Sequence, residues 1–337
     1  MCIRDSFLTL QGDMEYVWSV SISPDDKVIA TVHGPDIINI KGCGNCEVIL
    51  WDASSGKRLQ KLRDSQCNVF HAAFSPDGNQ IATLGIDFDA SNEWRGSLVV
   101  WDVESGEELL RKRLEGSFPH HLLHLGGTKA FLSKLFYSAD GKYLVAAPHP
   151  VAVFDASNLD LLWQADGLEA VQLSDDVIAV TTEAKVLKRM DLKTGEVLNE
   201  HQAKSALHDL AVSDDGEVLS GNQEGSVVCF TADDLVKIEE KQEDVYWGRI
   251  SPDRKDFFYA AANGVVMRKS VETGRIIEQI VGHKSTVFTA TLNSDSSRLV
   301  TAGLDGTAKV WDISGTCLLY TSPSPRDRTR SRMPSSA

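Results

Sequence analysis

The sequence predicts an all-β chain made of one unit repeated seven times, and three observations carry that prediction. A short apolar strand ends in Ser-Pro-Asp or a close variant at Ser23, Ser75, Ser138, Ser174, Ser213, Ser251 and Asn293. These markers lie between 36 residues (Ser138 to Ser174) and 63 residues (Ser75 to Ser138) apart, a spacing that points to a repeat architecture. A later strand of each unit closes on Trp-Asp or a degenerate form of it: Trp51-Asp52, Trp101-Asp102, Phe154-Asp155, Met190-Asp191, Phe230-Thr231, Lys269-Ser270 and Trp311-Asp312. No helical period of useful length runs through the repeats.

The elements of a unit follow in order. Ser75-Pro76-Asp77-Gly78 is a tight turn: Pro presets φ, Asp bonds its own backbone, and Gly admits positive φ. Next comes a strand rich in Ala, Val, Ile and Thr. Then Val48-Ile49-Leu50-Trp51 and Leu98-Val99-Val100-Trp101 are mostly β-branched or aromatic and too short for helices. A turn carrying Gly56, Gly106, Gly195, Gly274 or Gly315 follows.

Composition narrows the function classes. The chain has 337 residues, 42% hydrophobic and 24% charged, enough for a sizeable core and incompatible with wholesale disorder. Its net charge is −14, which argues against nucleic acid and anionic membrane as partners. No apolar run reaches the roughly 18 residues of a membrane span, and six cysteines are too few for a disulfide scaffold. Both ends, 1–6 and 317–337, resemble translated sequencing-adapter read-through and are expected to be disordered, with residues 7–316 the folded unit. That segment holds 29 of the 34 basic and 46 of the 48 acidic residues, a net charge of −17. The compartment is open, with cytoplasm favoured.

Over residues 7–316 the pattern resembles the WD-repeat (Trp-Asp) β-propeller family. The seventh repeat carries the most complete match, from Gly282-His283 through Asp305-Gly306 to Trp311-Asp312. The resemblance implies that His283, Thr301, Asp305 and Trp311 form a hydrogen-bonded chain pinning one blade, since a buried polar chain that is fully satisfied rigidifies. Repeat two keeps Thr83, Asp87 and Trp101, with Ser65 at the His position. Repeat one keeps Thr31 and Trp51, with Asp13 there instead. The resemblance further implies a seven-bladed ring of four-stranded antiparallel blades. Phe7-Leu8-Thr9-Leu10 would supply the outer strand that closes it, and the ring would be monomeric.

Repeats one to three are longer than the rest. The excess lies at about Gly34 to Glu47, at about Gly85 to Gly96, and at Ser117 to Lys129. In such a ring these loops emerge side by side on one face, and insertions confined to one face often mark a binding surface. Neutral insertion on a tolerant surface is the competing reading. Phe88, Trp94, Arg95, Phe118, His120 and His121 are the candidate partner contacts, Trp and Arg being common interface anchors. Packing of Trp94 onto its own loop is the alternative.

Cys43 and Cys46 form a single CxxC pair with Cys67 in the next loop, a weak metal or redox candidate that lacks ligands at the spacing a zinc site needs. No nucleophile elbow, phosphate loop or dinucleotide fingerprint is present, so neither catalytic residues nor a cofactor are expected. The reading is a non-enzymatic scaffold for a protein or peptide. The alternatives are a quinoprotein-like or lactonase-like propeller that binds or turns over a small molecule, and one module of a longer multidomain chain. Asp-x-x-Ser/Thr-Gly turns at Asp52, Asp102 and Asp191 would suit the quinoprotein-like case.

Overall fold

A computed structural model describes residues 3–4, 6–34, 46–62, 68–88, 94–114, 134–147, 150–203, 207–212, 218–222, 227–230, 235–237, 245–251, 255–261, 264–270, 273 and 275–314. Every regular element among them is a strand. Six sheets have four strands, and a further sheet has five.

The first sheet joins Tyr16–Ile22, Val28–Gly34, Glu47–Asp52 and Arg58–Leu62 in chain order, each strand antiparallel to the next. The second repeats this order with Asn68–Phe74, Gln80–Phe88, Trp94–Asp102 and Glu108–Arg113. The third runs from Lys134–Tyr137 to Leu161–Ala165, the fourth from Glu169–Ser174 to Val197–Gln202, and the fifth from Leu207–Val212 to Leu235–Lys237. The last sheet takes Val287–Leu292, Arg298–Gly303 and Thr307–Asp312 from the C-terminal repeat. Its outer strand, Leu8–Gln11, comes from the other end of the chain, with Leu8 opposite Val310 and Gln11 opposite Thr307.

Two expectations need correction. The sheet of Val245–Ile250, Asp256–Ala261, Val265–Ser270 and Ile276–Val281 has a fifth strand, so the four-stranded blades number six and not seven. That strand is Ile3–Arg4, parallel to Ile276–Val281, with Ile3 opposite Gln279. Residues 3–4 are therefore paired, where 1–6 had been expected without structure. The physical reason is that an outer strand leaves its backbone groups open to any extended segment alongside. Residues 317–337 lie outside the described residues.

First strands of most neighbouring sheets pack together, and Val287–Leu292 packs against Tyr16–Ile22, which brings the last sheet back to the first. The core is a set of seams between sheets. Leu10, Val300 and Val310 of the last sheet meet Val20, Ile49 and Trp51 of the first. Val48 and Leu50 point to the other side, toward Val69, Phe74 and Trp101 of the second sheet. Both faces of the third strand are covered, which is why it reads as a continuous apolar run. The outer strands are polar and exposed by comparison, as in Val197–Gln202.

The turns repeat one chemistry. Ser23, Ser75 and Ser138 donate to Asp25, Asp77 and Asp140 at 2.6–2.7 Å, and each serine oxygen accepts an amide five residues on. In the last sheet Asn293 takes the serine's place, donating to Asp295 at 2.7 Å and accepting from the Arg298 amide. At the next turn Asp52, Asp102 and Asp191 accept from Ser55, Ser105 and Thr194, and Gly56, Gly106 and Gly195 follow at φ near +70°. The third sheet differs: Leu159 holds that position at φ +60° and is fully buried.

Candidate functional site

Strands in each sheet alternate direction, so the connections fall on two ends of the ring. Turns of the Ser-x-Asp and Asp-x-x-Ser/Thr-Gly kinds share one end. The connections between second and third strands, and between successive sheets, share the other. The three extended connections all belong to this second end.

The second sheet shows what its extension is. Its second and third strands remain paired through Gly85–Ser97, Ile86–Gly96, Asp87–Arg95 and Phe88–Trp94, so most of the expected loop is ladder and only 89–93 connects it. Among the described residues the first strand begins at Asn68, opposite Ile86. Arg95 is partly exposed on this arm. The side chains of Phe88 and Trp94 lie outside the described residues, as do Phe118, His120, His121, Cys43 and Cys67 altogether.

Cys46 is described, and it is buried with its thiol 3.8 Å from Asn68 Oδ1. Burial pushes the thiol up to about 12, with the Glu47 charge adding, so it is not a thiolate near neutral pH and is poorly suited to redox or metal chemistry. Among the described residues no group of three or more His, Cys, Asp or Glu could hold a metal. Gly34 lets the chain pass here: a Cβ would sit 2.7 Å from Trp18 Nε1 and 2.8 Å from Cys46 Sγ. Trp18 stacks on Phe288 at 5.4 Å and meets Tyr16 at 5.4 Å, a row of aromatic rings on the first strands of the last and first sheets.

The structure brings His283, Thr301, Asp305 and Trp311 together. His283 Nδ1 lies 3.1 Å from both Asp305 oxygens, and its Nε2 lies 2.7 Å from Thr301 Oγ1. Trp311 Nε1 donates to the same hydroxyl at 2.8 Å. Burial alone would raise the Asp305 carboxyl, but hydrogen bonds from His283, Thr307 and the Lys284 amide outweigh it and hold the group below the usual range. The same Trp-to-Thr bond occurs at Trp51–Thr31 (2.6 Å) and Trp101–Thr83 (3.0 Å).

In the first sheet the histidine was missed. Asp13, at the His283 position, turns outward to pair with Arg58 and Lys61 at 3.1 Å each, which draws its carboxyl down to about 2. His33 replaces it from within the second strand, with Nε2 2.7 Å from Thr31 Oγ1. Residues 31 and 33 share a strand face, so the alternation Thr31-Val32-His33 was the available signal. Arg58 stacks over Trp51 at 5.2 Å and closes the cluster from solvent.

Comparison with known proteins follows this geometry. The family model described as outer membrane protein assembly factor BamB matches residues 17–279, spanning the three Asp-x-x-Ser/Thr-Gly turns. The WD domain, G-beta repeat, matches residues 274–312. The chain is 25% identical over 251 residues to eukaryotic translation initiation factor 3 subunit I of Lodderomyces elongisporus, covering 69% of this chain and 67% of that one. It is 40% identical over 73 residues to the serine-threonine kinase receptor-associated protein of Homo sapiens, covering 21% of each. Repeated four-stranded sheets, tryptophan-to-threonine pins and these matches agree. The chain belongs to the β-propeller repeat proteins, to the BamB-described family over residues 17–279 and, through the repeat at 274–312, to the WD-repeat propellers.

Proposed function

We propose that this chain is a non-enzymatic interaction scaffold, a monomeric ring that counts the five-stranded sheet as its seventh blade. It binds a protein or peptide across the connection end of its first three repeats. The observation that carries this reading is the hairpin of the second sheet. Its second and third strands stay paired as far as Phe88 and Trp94, which with Arg95 flank the 89–93 connection at that end of the ring. In this reading Phe118, His120 and His121, in the connection that follows this sheet along the chain, take part in the same binding. Relatives named as a subunit of an initiation factor and as a receptor-associated protein support protein partners and a cytoplasmic setting. No helix among the described residues is long and apolar enough to cross a membrane. In this reading residues 7–316 are the working unit, with Ile3–Arg4 adding an edge strand to one of its sheets. Recovery of binding partners on immobilised wild-type chain and on Trp94→Ala/Arg95→Ala tests it. Partner loss in the double variant supports the proposal, and equal recovery overturns it.

A second reading rests on the match over residues 17–279 and its Asp-x-x-Ser/Thr-Gly turns, which suit a propeller that handles a small molecule. Lactonase or quinone-dependent turnover by the purified chain would move the assignment there.

A further inference from the structure

The outer edge of the five-stranded sheet is occupied. Ile3–Arg4 lies parallel to Ile276–Val281, with Ile3 opposite Gln279 and Arg4 opposite Ile280. The segment is two residues long against a strand of six, and it lies outside the repeated pattern of residues 7–316. The pairing therefore reports a property of the edge: its outward backbone donors and acceptors take up an extended segment.

Outer strands elsewhere in the ring are guarded. Arg58–Leu62 carries Arg58 and Lys61, and Glu108–Arg113 carries Arg111, Lys112 and Arg113. Val197–Gln202 carries Glu200, Leu161–Ala165 has no β-branched residue, and Leu235–Lys237 and Leu8–Gln11 are three and four residues long. Charge, short length and low β-propensity each discourage the addition of a strand. Ile276–Val281 lacks these defences. Four of its six residues are Ile or Val, and it holds no Lys, Arg or Pro. Its one charge, Glu278, is buried and lies 3.7 Å from Arg268.

The strand is held from one side. Ile280 is buried in the seam with Val287, Leu299 and Trp311 of the last sheet. A bulge skips Ile277 in the ladder to Val265–Ser270, and beyond it Glu278–Val281 pairs regularly with Arg268 back to Val265. Ile3–Arg4 pairs within this regular stretch. With that segment in place Ile276, Ile277 and Val281 are still 47%, 46% and 37% exposed, so apolar surface flanks the paired positions.

We propose that this edge accepts an extended segment of a partner protein, added parallel to Ile276–Val281 in the place of Ile3–Arg4. Main-chain hydrogen bonds supply the hold, and the side chains of the segment select it. The exposed aliphatic residues favour β-branched side chains beside them. The chain's net charge of −14 favours a segment that carries basic residues. A longer segment displaces a two-residue one because it pairs more of the edge. The site lies on the rim of the ring and is separate from the connections proposed above as a binding surface.

The test uses the full chain and a fluorescein-labelled peptide, Lys-Val-Ile-Val-Thr-Lys, read by anisotropy. The control peptide has the same side chains with its central amides N-methylated, which removes backbone donors. Val281→Lys puts a charge on the edge, and Leu198→Lys makes the same change at an exposed position on the outer strand of the fourth sheet. Ile3→Pro takes a backbone donor from the seated segment. Thermal melts establish that each variant is folded. The methylated peptide is expected to bind at least about tenfold more weakly, the size of one or two net hydrogen bonds. Val281→Lys should weaken binding about fivefold, Leu198→Lys should leave it unchanged, and Ile3→Pro should strengthen it about threefold. Amide hydrogen exchange should slow at Ile276–Val281 on binding and not at the other outer strands. Equal binding of the two peptides, wild-type binding by Val281→Lys, no gain in Ile3→Pro, or protection spread evenly over the outer strands overturns the proposal. A dimer of the unliganded chain that Val281→Lys dissociates gives the edge to a second copy and overturns the assignment to a partner.

Discussion

The imidazole of His33 occupies the space that a side chain at Gly12 would need. A Cβ built at Gly12 would lie 2.4 Å from His33 Nδ1. In the last sheet the arrangement is reversed: Gly303 stands two residues after Thr301, as His33 does after Thr31, and a Cβ there would lie 2.6 Å from His283 Nδ1. In these two sheets an imidazole stands beside the threonine, arriving from the strand in one and from the connection in the other. Gly12→Ala should therefore destabilise the chain by roughly 1–3 kcal/mol through overpacking. In a His33→Gly background the same change should cost much less. A double-mutant cycle by urea denaturation measures this, and additive costs would refute the coupling.

His33 also predicts an acid sensitivity. Burial first, and the Arg58 charge second, lower its pKa from the ordinary 6.5 to about 4. The unfolded chain takes up a proton in that interval while the folded chain does not. Stability is thus full above about pH 6.5 and falls as the pH drops toward 4, by roughly 3 kcal/mol at about 1.4 kcal/mol per pH unit. Urea midpoints between pH 7 and 4.5 should fall more steeply for wild type than for His33→Gln. Parallel curves would count against it.

Lys134 and Glu169 tie three sheets together. Their charged groups lie 3.2 Å apart, Lys134 Nζ donates to Leu210 O at 2.6 Å, and Glu169 accepts the Leu210 amide at 3.0 Å. Glu169 is 1% exposed, so Glu169→Ala strands the ammonium in a largely buried place and leaves an amide unpaired. The expected loss is about 3–5 kcal/mol. Lys134→Met/Glu169→Leu should recover most of it, and a calorimetric melting series distinguishes the two.

Leu159 pits backbone against side chain. A left-handed conformation costs a residue other than glycine about 1–2 kcal/mol, yet this side chain is 1% exposed in the seam between the second and third sheets. Leu159→Gly relieves the first and forfeits the second, which is worth roughly 2–5 kcal/mol. The net effect should be destabilising. A variant with a higher melting temperature would show that the packing is weaker than its burial implies.

The repeat was legible because its chemistry is local. A serine, an aspartate two residues on, and a strand covered on both faces each leave a mark within a few residues. The hairpin of the second sheet was read as a loop because Gly85, Asp87 and Gly96 look like turn residues. Its backbone pairing follows the alternation of Leu84, Ile86 and Phe88, which has the period of a strand. His33 was overlooked because its role depends on Gly12, a residue from the strand connection before it.

The strand Leu8–Gln11 has a consequence for the order of events during synthesis. It is made before the strands of every other four-stranded sheet, and its partner Thr307–Asp312 after them. While the intervening sheets are made this segment waits without its pairing edge, and the last sheet cannot be completed until the two distant segments meet. Closing so long a loop is slow relative to the local hairpins. The final, rate-limiting step of folding should therefore be the docking of these four residues, and an N-terminal deletion through Gln11 should leave a chain arrested one strand short of a closed circle.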